Sequence, residues 1–126
     1  MCGAARYAFT GEPEIVLNCH CTDCQKASGG QFATIIALRA DHFTFTGKLT
    51  FYDWRGSSGT LLRRGFCPVC GTTVFGYPPN PDVRNIWAGT LDDGDWVVPT
   101  LDHWLKSRKP WSVPLDTTEK CLDAFE

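Results

Sequence analysis

Three cysteines lie close together near the start of the chain, at Cys19, Cys21 and Cys24. The packing of an ordinary core does not require thiols at this density. Metal ligation does, because one tight loop can then aim three sulfurs at a single ion. Thiolates are soft ligands, and cysteine-rich tetrahedral sites favour zinc, so the segment predicts a zinc site.

A second pair, Cys67 and Cys70, is separated by two residues and followed by Gly71. This arrangement is typical of a zinc knuckle, in which one turn places two sulfurs on the same ion and glycine allows the backbone to turn sharply. The chain contains seven cysteines, an odd number. Five of them fall in these two clusters, which favours metal binding over a disulfide scaffold.

The spacing is compatible with a single closed site. In that arrangement Cys21 and Cys24 share one zinc ion with Cys67 and Cys70, and Cys19 is left as a spare thiol. A closed site with four cysteines stabilises a fold and performs no chemistry.

The spacing is equally compatible with two sites. Cys19, Cys21 and Cys24 would then form one site with an open fourth position, and Cys2 would join the Cys67 pair in a structural site. An open position is what a catalytic zinc ion needs, because a substrate thiol or water must bind there. Cys19 is therefore the residue that distinguishes the two arrangements.

Three segments, residues 2–7, 19–29 and 66–72, carry these cysteines in motifs that resemble those of one known family. That family is the glutathione-dependent formaldehyde-activating enzymes, which also include centromere protein V-like proteins. Weaker similarities follow at residues 89–92 and 103–111. The resemblance thus extends over nearly the whole chain.

The resemblance implies an all-β fold of the zinc-bound β-tent type and two zinc ions per chain. Cys19, Cys21 and Cys24 match the catalytic zinc ligands of the family, and the group of Cys2, Cys67 and Cys70 matches structural ligands. It also implies a carbon–sulfur lyase activity, in which glutathione adds to formaldehyde to give S-hydroxymethylglutathione. The implied partners are therefore a small thiol and a small aldehyde.

The first motif departs from the family pattern, which has two cysteines where this sequence has only Cys2. The matching position of the other cysteine would precede Met1. A site that lacks one of four thiolates binds its metal more weakly, so we expect partial occupancy or a substitute fourth ligand. Cys121 is one candidate for that ligand.

Several residues near the first cysteine loop are further candidates. His20 can act as an acid or base, with a local structural role as the alternative. Ser28 and Gly29 can offer backbone N–H groups to a carboxylate of the thiol substrate, with a plain turn as the alternative. Asp23 is a candidate cap for a short helical turn, and His103 is interpreted as a partly buried histidine.

Glutathione carries two carboxylates, so its binding calls for cationic side chains. A solvated surface explains most such charges. Most of the five tryptophans are expected to be core or loop anchors, and one or two are expected to line the zinc cleft. The cationic candidates are Arg63, Arg64, Lys106, Arg108 and Lys109.

Composition limits the other possibilities. The chain has 126 residues and a formal net charge of −2, which predicts a single domain over residues 1–126 and does not favour nucleic acid or an anionic membrane as partner. Apolar runs are far shorter than the roughly 20 residues of a membrane span. With a signal peptide not evident in the sequence, we expect a cytoplasmic protein.

Short β-rich segments with turn residues every eight to twelve positions surround both cysteine loops. Eight or more such strands with little helix predict an all-β fold, either an open barrel or a sandwich of short antiparallel strands. The β-rich segment at residues 31–38 is expected to be a buried strand. Residues 117–125 are expected to form a helical turn or two, capped by Thr117 or Thr118.

Two other functional classes remain possible from the sequence. One is a zinc-stabilised binding module without catalysis, as the centromere protein relatives suggest. That class would favour a basic extension or a large apolar patch, and the sequence has neither. The other is a related enzyme that uses a different thiol or electrophile, because families diversify around a fixed site.

Overall fold

Strands dominate the structure, a computed structural model that describes residues 1–123. One α-helix and several short 3₁₀ turns, among them Leu105–Ser107, connect the strands. The strands are β1 (Arg6–Phe9), β2 (Ile15–Cys19), β3 (Ala33–Arg39), β4 (Phe43–Thr46), β5 (Thr50–Arg55), β6 (Leu61–Phe66), β7 (Thr73–Tyr77), β8 (Val83–Trp87), β9 (Leu101–His103) and β10 (Glu119–Lys120), and the helix is α1 (Thr22–Ser28).

The strands form two open sheets. Strands β1 and β4 pair with each other, and the other eight follow the order β10-β9-β2-β3-β8-β7-β6-β5. Neither sheet closes into a barrel among the residues described. The expectation of a mostly β protein with little helix is confirmed.

One detail of the pairing was not expected. Strand β9 runs parallel to both of its neighbours, β2 and β10, whereas every other described pair is antiparallel. Parallel neighbours need a crossover of about a dozen residues or more, and residues 104–118 supply it between β9 and β10.

Strand β3 is covered on both faces, as its β-branched and apolar sequence predicts. Ile36 and Leu38 point into one core cluster together with Phe75 and Ile86. Ile35 points the opposite way, into a second cluster that contains Leu17, Cys19, Ala33 and Leu101. We call the side of the sheet that bears Ile35 and Cys19 the cysteine face.

The prediction of a helical C-terminal segment is wrong for residues 119 and 120. Glu119 and Lys120 form strand β10 and pair in parallel with Leu101 and Asp102. Thr118, one of the two proposed caps, instead donates a hydrogen bond from its hydroxyl to the Asp102 carboxylate. The final part of the predicted helix, residues 124 and 125, lies outside the described residues.

Within residues 1–123 there is no helix of the length and apolar character that a membrane span requires.

Candidate metal centre

The first cysteine group lies where strand β2 passes into helix α1. Cys19 is the last residue of β2, Cys21 caps α1, and Cys24 lies in the first turn of that helix. Their three sulfurs all lie within 4.8 Å of one another. We call these residues the buried triad, because Cys19 is only 8% exposed and its two partners are partly buried.

The start of the helix fixes two of these sulfurs. Cys21 has an extended backbone, with φ −62° and ψ 154°, and its Sγ accepts a hydrogen bond from the backbone N–H of Cys24 at 3.3 Å. Serine and threonine hydroxyls cap helices with the same geometry. Asp23 was predicted to be the cap; it instead accepts a hydrogen bond at 2.9 Å from Trp54 Nε1 on β5. Gly29, with φ 68°, ends the helix.

The spacing of the sulfurs fits zinc. Two thiolates bound to one tetrahedral zinc ion at about 2.3 Å are about 3.8 Å apart. The sulfurs of the buried triad lie within 4.8 Å of one another, at most about 1 Å beyond this separation. Three cysteines fill three corners of the tetrahedron and leave the fourth for a ligand from elsewhere.

The electrostatics of the buried triad also favour a cation. Hydrogen bonds from the Cys19 and Cys24 thiols lower the pKa of Cys21 to about 2. The same contact with Cys21 raises the pKa of Cys19 to about 12, and contacts with Cys19 and Cys21 strongly raise the pKa of Cys24. The group therefore holds one thiolate readily, and ionisation of all three thiols requires a positive charge among them.

A glutamine that the sequence analysis did not single out supports the loop. The side chain of Gln25 is buried, and its Nε2 donates to the backbone carbonyls of His20 at 2.6 Å and Ser107 at 3.0 Å. It thereby ties the start of α1 to the end of β2 and to the turn after β9. The signal available in the sequence was only its place directly after Cys24.

The ring of His20 lies on the side of the sheet opposite the sulfurs, because it contacts Asp102. Asp102 is the register partner of Asn18, and Asn18 alternates with Cys19 along β2. His20 is fully buried, and its Nε2 lies 2.8 Å from a carboxylate oxygen of Asp102. Its Nδ1 is buried and has no hydrogen-bond partner among the described residues. The imidazole thus holds the loop through its contact with Asp102, on the side of the sheet opposite the cysteine face.

Asp102 is the centre of this buried polar network, and the sequence analysis missed it. Its carboxylate accepts hydrogen bonds from Asn18 at 3.3 Å and from Thr118, and it forms an ion pair with Lys120 at 3.2 Å. Burial raises the pKa of Asp102, but the hydrogen bonds from Thr118, His20, Lys120 and Asn18 together lower it by more. The pKa of Asp102 therefore lies below its ordinary value. The carboxylate is therefore ionised at neutral pH.

The candidate substrate-contact residues Ser28 and Gly29 form local hydrogen bonds. The Gly29 N–H donates to the Gln25 carbonyl at 2.9 Å. Ser28 Oγ donates to the Phe32 carbonyl at 3.0 Å and accepts from the Gly30 N–H at 3.2 Å. These bonds stabilise the end of α1, and a contact with a thiol substrate stays a prediction.

His103 lies beside the buried triad. In the parallel pairing of β2 with β9 it is the register partner of Cys19, so both side chains lie on the cysteine face. Burial lowers the pKa of His103, and the charge of Cys21 partly offsets this effect. The imidazole is consequently neutral near neutral pH.

The second cysteine group lies at the turn between β6 and β7 and is joined by the N-terminal segment. The sulfurs of Cys2, Cys67 and Cys70 lie within 4.8 Å of one another, and those of Cys2 and Cys67 are 3.6 Å apart. We call these residues the hairpin triad. Hydrogen bonds from Thr72 lower the pKa of Cys70 to about 6, and the one from the Thr72 hydroxyl has the largest effect. An open cavity of about 760 Å³ lies beside the group.

The seventh cysteine belongs to neither triad. Cys121 packs against the cluster that contains Leu17 and Cys19, and its Sγ donates to the Asp123 carbonyl at 3.0 Å. The suggestion that Cys121 completes the structural site is therefore wrong, because it lies with the cluster of the other triad.

Most cationic candidates are engaged elsewhere. Arg63 forms an ion pair with Asp53 at 2.6 Å, Lys106 pairs with Asp123, and Arg108 donates to the Ser112 carbonyl. Lys109 is exposed. Arg64 remains, and its guanidinium lies over the ring of Tyr52, 5.5 Å from the centroid.

Comparison with known proteins adds two findings. The family described as glutathione-dependent formaldehyde-activating enzyme matches residues 1–107, a range that includes both triads. A crystal structure of a Rhodobacter sphaeroides protein is similar in fold, with a TM-score of 0.56 and 20% sequence identity over 78% of this chain and 86% of that chain. That likeness concerns the fold alone. Among curated proteins there is no significant match.

Proposed function

The chain belongs to the glutathione-dependent formaldehyde-activating enzyme family, and we propose that it catalyses the reversible addition of a thiol to a small aldehyde. Glutathione is the proposed thiol and formaldehyde the proposed aldehyde, which makes the protein a carbon–sulfur lyase that forms and cleaves S-hydroxymethylglutathione. The observation that carries this proposal is the buried triad, a group of three thiols that supplies three of the four ligands of a tetrahedral zinc ion.

Cys19, Cys21 and Cys24 are the proposed ligands of a catalytic zinc ion. When bound, zinc supplies a cation that lowers the pKa of a coordinated thiol and so provides a nucleophile near neutral pH. The chain's own contribution is to hold three sulfurs in a fixed arrangement. Gln25 fixes the loop from one side through two backbone carbonyls, and the His20–Asp102 pair fixes it from the other.

The reaction balances without a further reactant. The thiol sulfur forms a bond with the aldehyde carbon, the carbon–oxygen π bond breaks, and the thiol proton ends on the new hydroxyl oxygen. In the reverse direction the carbon–sulfur bond breaks and formaldehyde leaves. Partial burial of the triad limits the access of water to the reacting atoms, which strengthens the electrostatic interactions there.

His20 takes a positioning role in this proposal. Its ring is fully buried against Asp102, on the side of the strand opposite the sulfurs. Ser28 and Gly29 remain proposed substrate contacts, through backbone groups at the end of α1 that would have to exchange their local hydrogen bonds. The hairpin triad is the proposed site of a second, structural zinc ion that joins the N-terminal segment to the β6–β7 turn.

We also propose that the protein acts in the cytoplasm. All seven cysteines are free in the structure, and six are gathered as candidate metal ligands. A reducing compartment keeps such thiols available for metal binding, whereas an oxidising one favours disulfides.

Exchange spectroscopy by NMR tests the proposal, because it measures how fast glutathione and S-hydroxymethylglutathione interconvert with and without the protein. The zinc-loaded protein is expected to accelerate this exchange, and Cys19→Ser is expected to abolish the acceleration. Cys121→Ser is the matched control, since it removes a thiol outside both triads. If the zinc-loaded parent binds glutathione without acceleration, the protein is a binding module and the proposed activity is wrong.

A further inference from the structure

Trp104 has a backbone conformation that residues other than glycine rarely adopt. Its φ is 59° and its ψ is 41°, in the left-handed region, and among residues 1–123 it is the one non-glycine residue with a positive φ. This conformation is unfavourable for an L-residue, because Cβ comes too close to the following carbonyl oxygen. Such strain persists only where the surrounding structure enforces it, and it is frequent at functional sites.

Hydrogen bonds on both sides of Trp104 hold this conformation. The carbonyl of His103, before it, accepts from the backbone N–H of His20 at 2.8 Å. The carbonyl of Ser107, after it, accepts from Gln25 Nε2 at 3.0 Å. Two backbone N–H groups of the intervening turn also donate to the chain that follows β10, each at 3.1 Å. Since His20 and Gln25 belong to the loop of the buried triad or follow it directly, the strained residue is tied to that loop.

The left-handed turn changes the side of the sheet on which the indole lies. In β9, His103 is the register partner of Cys19 on the cysteine face, and Asp102 points to the opposite face. If the strand continued, alternation would send the Trp104 side chain to the side of Asp102. The indole instead packs against the cluster that contains Leu17 and Cys19. The strained backbone thus brings an aromatic ring to the cysteine face.

The indole lies among the groups that surround the buried triad. Cys21 and Cys24 pack against the same cluster as Trp104. The Lys106 ammonium lies over the Trp104 ring, 4.5 Å from its centroid, and this cation–π contact helps to hold the ring in place. Trp104 is partly exposed. Because a partly exposed ring covers the buried atoms against which it packs, Trp104 separates part of this cluster from solvent.

We infer that Trp104 is a positioning residue whose indole shields the buried triad from water. The inference rests on the proposed function for the reaction that this shielding serves. Exclusion of water strengthens the attraction between a thiolate and a cation at the triad. It also removes a competitor of the substrate thiol. The strain at Trp104 then has a physical reason, since the left-handed turn is what directs the ring to the cysteine face.

Three substitutions of Trp104 separate shielding from a role in the fold alone. Trp104→Gly and Trp104→Ala both remove the indole, but glycine adopts the left-handed conformation without strain. Trp104→Gly is therefore expected to unfold at a higher temperature than Trp104→Ala. Both are expected to lose about 10–100-fold in kcat/KM for the exchange between glutathione and S-hydroxymethylglutathione, the range typical of residues that support metal ligands. Trp104→Phe keeps an aromatic ring and is expected to keep most of the activity. A glycine variant that regains activity together with stability overturns the inference.

Alkylation of the zinc-loaded protein by iodoacetamide measures the shielding without reference to activity. Mass spectrometry locates the label, and Cys70 of the hairpin triad is the internal reference. Labelling of Cys24 relative to Cys70 is expected to rise several-fold in Trp104→Ala and Trp104→Gly. It is expected to match the parent in the control Trp111→Ala, which removes an indole that is 67% exposed.

The labelling result also distinguishes this inference from the proposed activity. Equal labelling of Cys24 in the parent and in both Trp104 variants overturns the inference. Labelling that depends on Trp104, in a parent that does not catalyse the exchange, upholds the shielding and refutes the proposed activity.

Discussion

The buried triad and the hairpin triad contain the same number of thiols, but they are built in different ways. The first comes from six consecutive residues at a junction of strand and helix. The second joins Cys2 to Cys67, which are 65 residues apart in the sequence, and Cys2 is exposed. A metal ion at the hairpin triad closes a long loop, whereas one at the buried triad orders a loop that is already short.

This difference separates the expected roles. Closure of a long loop by a metal ion couples binding energy to folding, so we expect a metal ion at the hairpin triad to stabilise the fold. A metal ion at the buried triad is expected to contribute less to the stability of the fold. The surroundings of this triad instead hold the three sulfurs in fixed positions. Gln25, His20 and Asp102 hold its loop through hydrogen bonds, most of them to partners far away in the sequence.

The largest expected effect is on activity. Cys21→Ser is predicted to reduce the catalysed exchange by more than about 100-fold, because loss of a ligand exceeds the 10–100-fold typical of residues that only support one. Its effect on stability should be small, since serine caps a helix as well as a thiol does. If Cys21→Ser lowered the free energy of unfolding as much as Cys67→Ser does, the distinction between the triads would be wrong.

The next effect is on stability. Cys67→Ser is predicted to lower the free energy of unfolding by about 3–5 kcal/mol, as expected for a lost metal site, while the zinc-loaded fraction keeps its kcat. Urea unfolding followed by circular dichroism measures the change. Val69→Ala, in the same turn but 73% exposed, is the matched control and should stay within about 0.5 kcal/mol of the parent.

Asp102→Asn tests the support beneath the buried triad. The substitution leaves the surrounding donors without an ionised acceptor. It is predicted to lower the free energy of unfolding by about 2–4 kcal/mol at neutral pH. The pKa of Asp102 is lowered in the folded protein, so its contribution is present above the unfolded pKa of about 4 and is lost as pH falls through the folded value. The variant should therefore show a flatter loss of stability in acid.

Asp53→Asn is the comparison for that measurement. Asp53 also forms an ion pair, with Arg63, but both side chains are about half exposed. Its loss should change the free energy of unfolding only slightly, because solvent screens an exposed ion pair. If the two aspartate variants lose the same amount, the buried network contributes no more than a surface pair.

The smallest expected effect concerns the contact between β5 and α1. Trp54→Phe removes the hydrogen bond to Asp23 and keeps most of the aromatic surface, with a predicted cost of about 1 kcal/mol. Thermal unfolding measures it, with the exposed Trp111→Phe as control. A loss as large as that of Cys67→Ser would mean that this contact, and not the metal ligands, dominates the stability of the fold.

The parts that sequence analysis predicted are those encoded locally. Both cysteine loops and the β-rich segments around them are local patterns, and the mostly β fold is confirmed. Asp102 was missed because its partners His20 and Asn18 are more than 80 residues away and meet it only through the parallel pairing of β2 with β9. That pairing has no signature in either short strand alone.

The C-terminal error has the same origin. Residues 117–125 have a composition compatible with a helical turn, and local propensity gives no reason to reject it. In the structure the Thr118 hydroxyl and the Lys120 ammonium contact the Asp102 carboxylate, and a strand is what places both beside it. Tertiary contacts thus override a weak local preference.

The most direct test of the central claim is the zinc content of three proteins after reconstitution. The parent is predicted to bind two zinc ions per chain, and Cys21→Ser and Cys67→Ser are each predicted to bind one. The two retained ions should differ, since only Cys67→Ser keeps the signals of the buried triad in NMR spectra. One zinc ion in the parent that is lost in both variants would contradict the account, because the two loops would then share a single closed site.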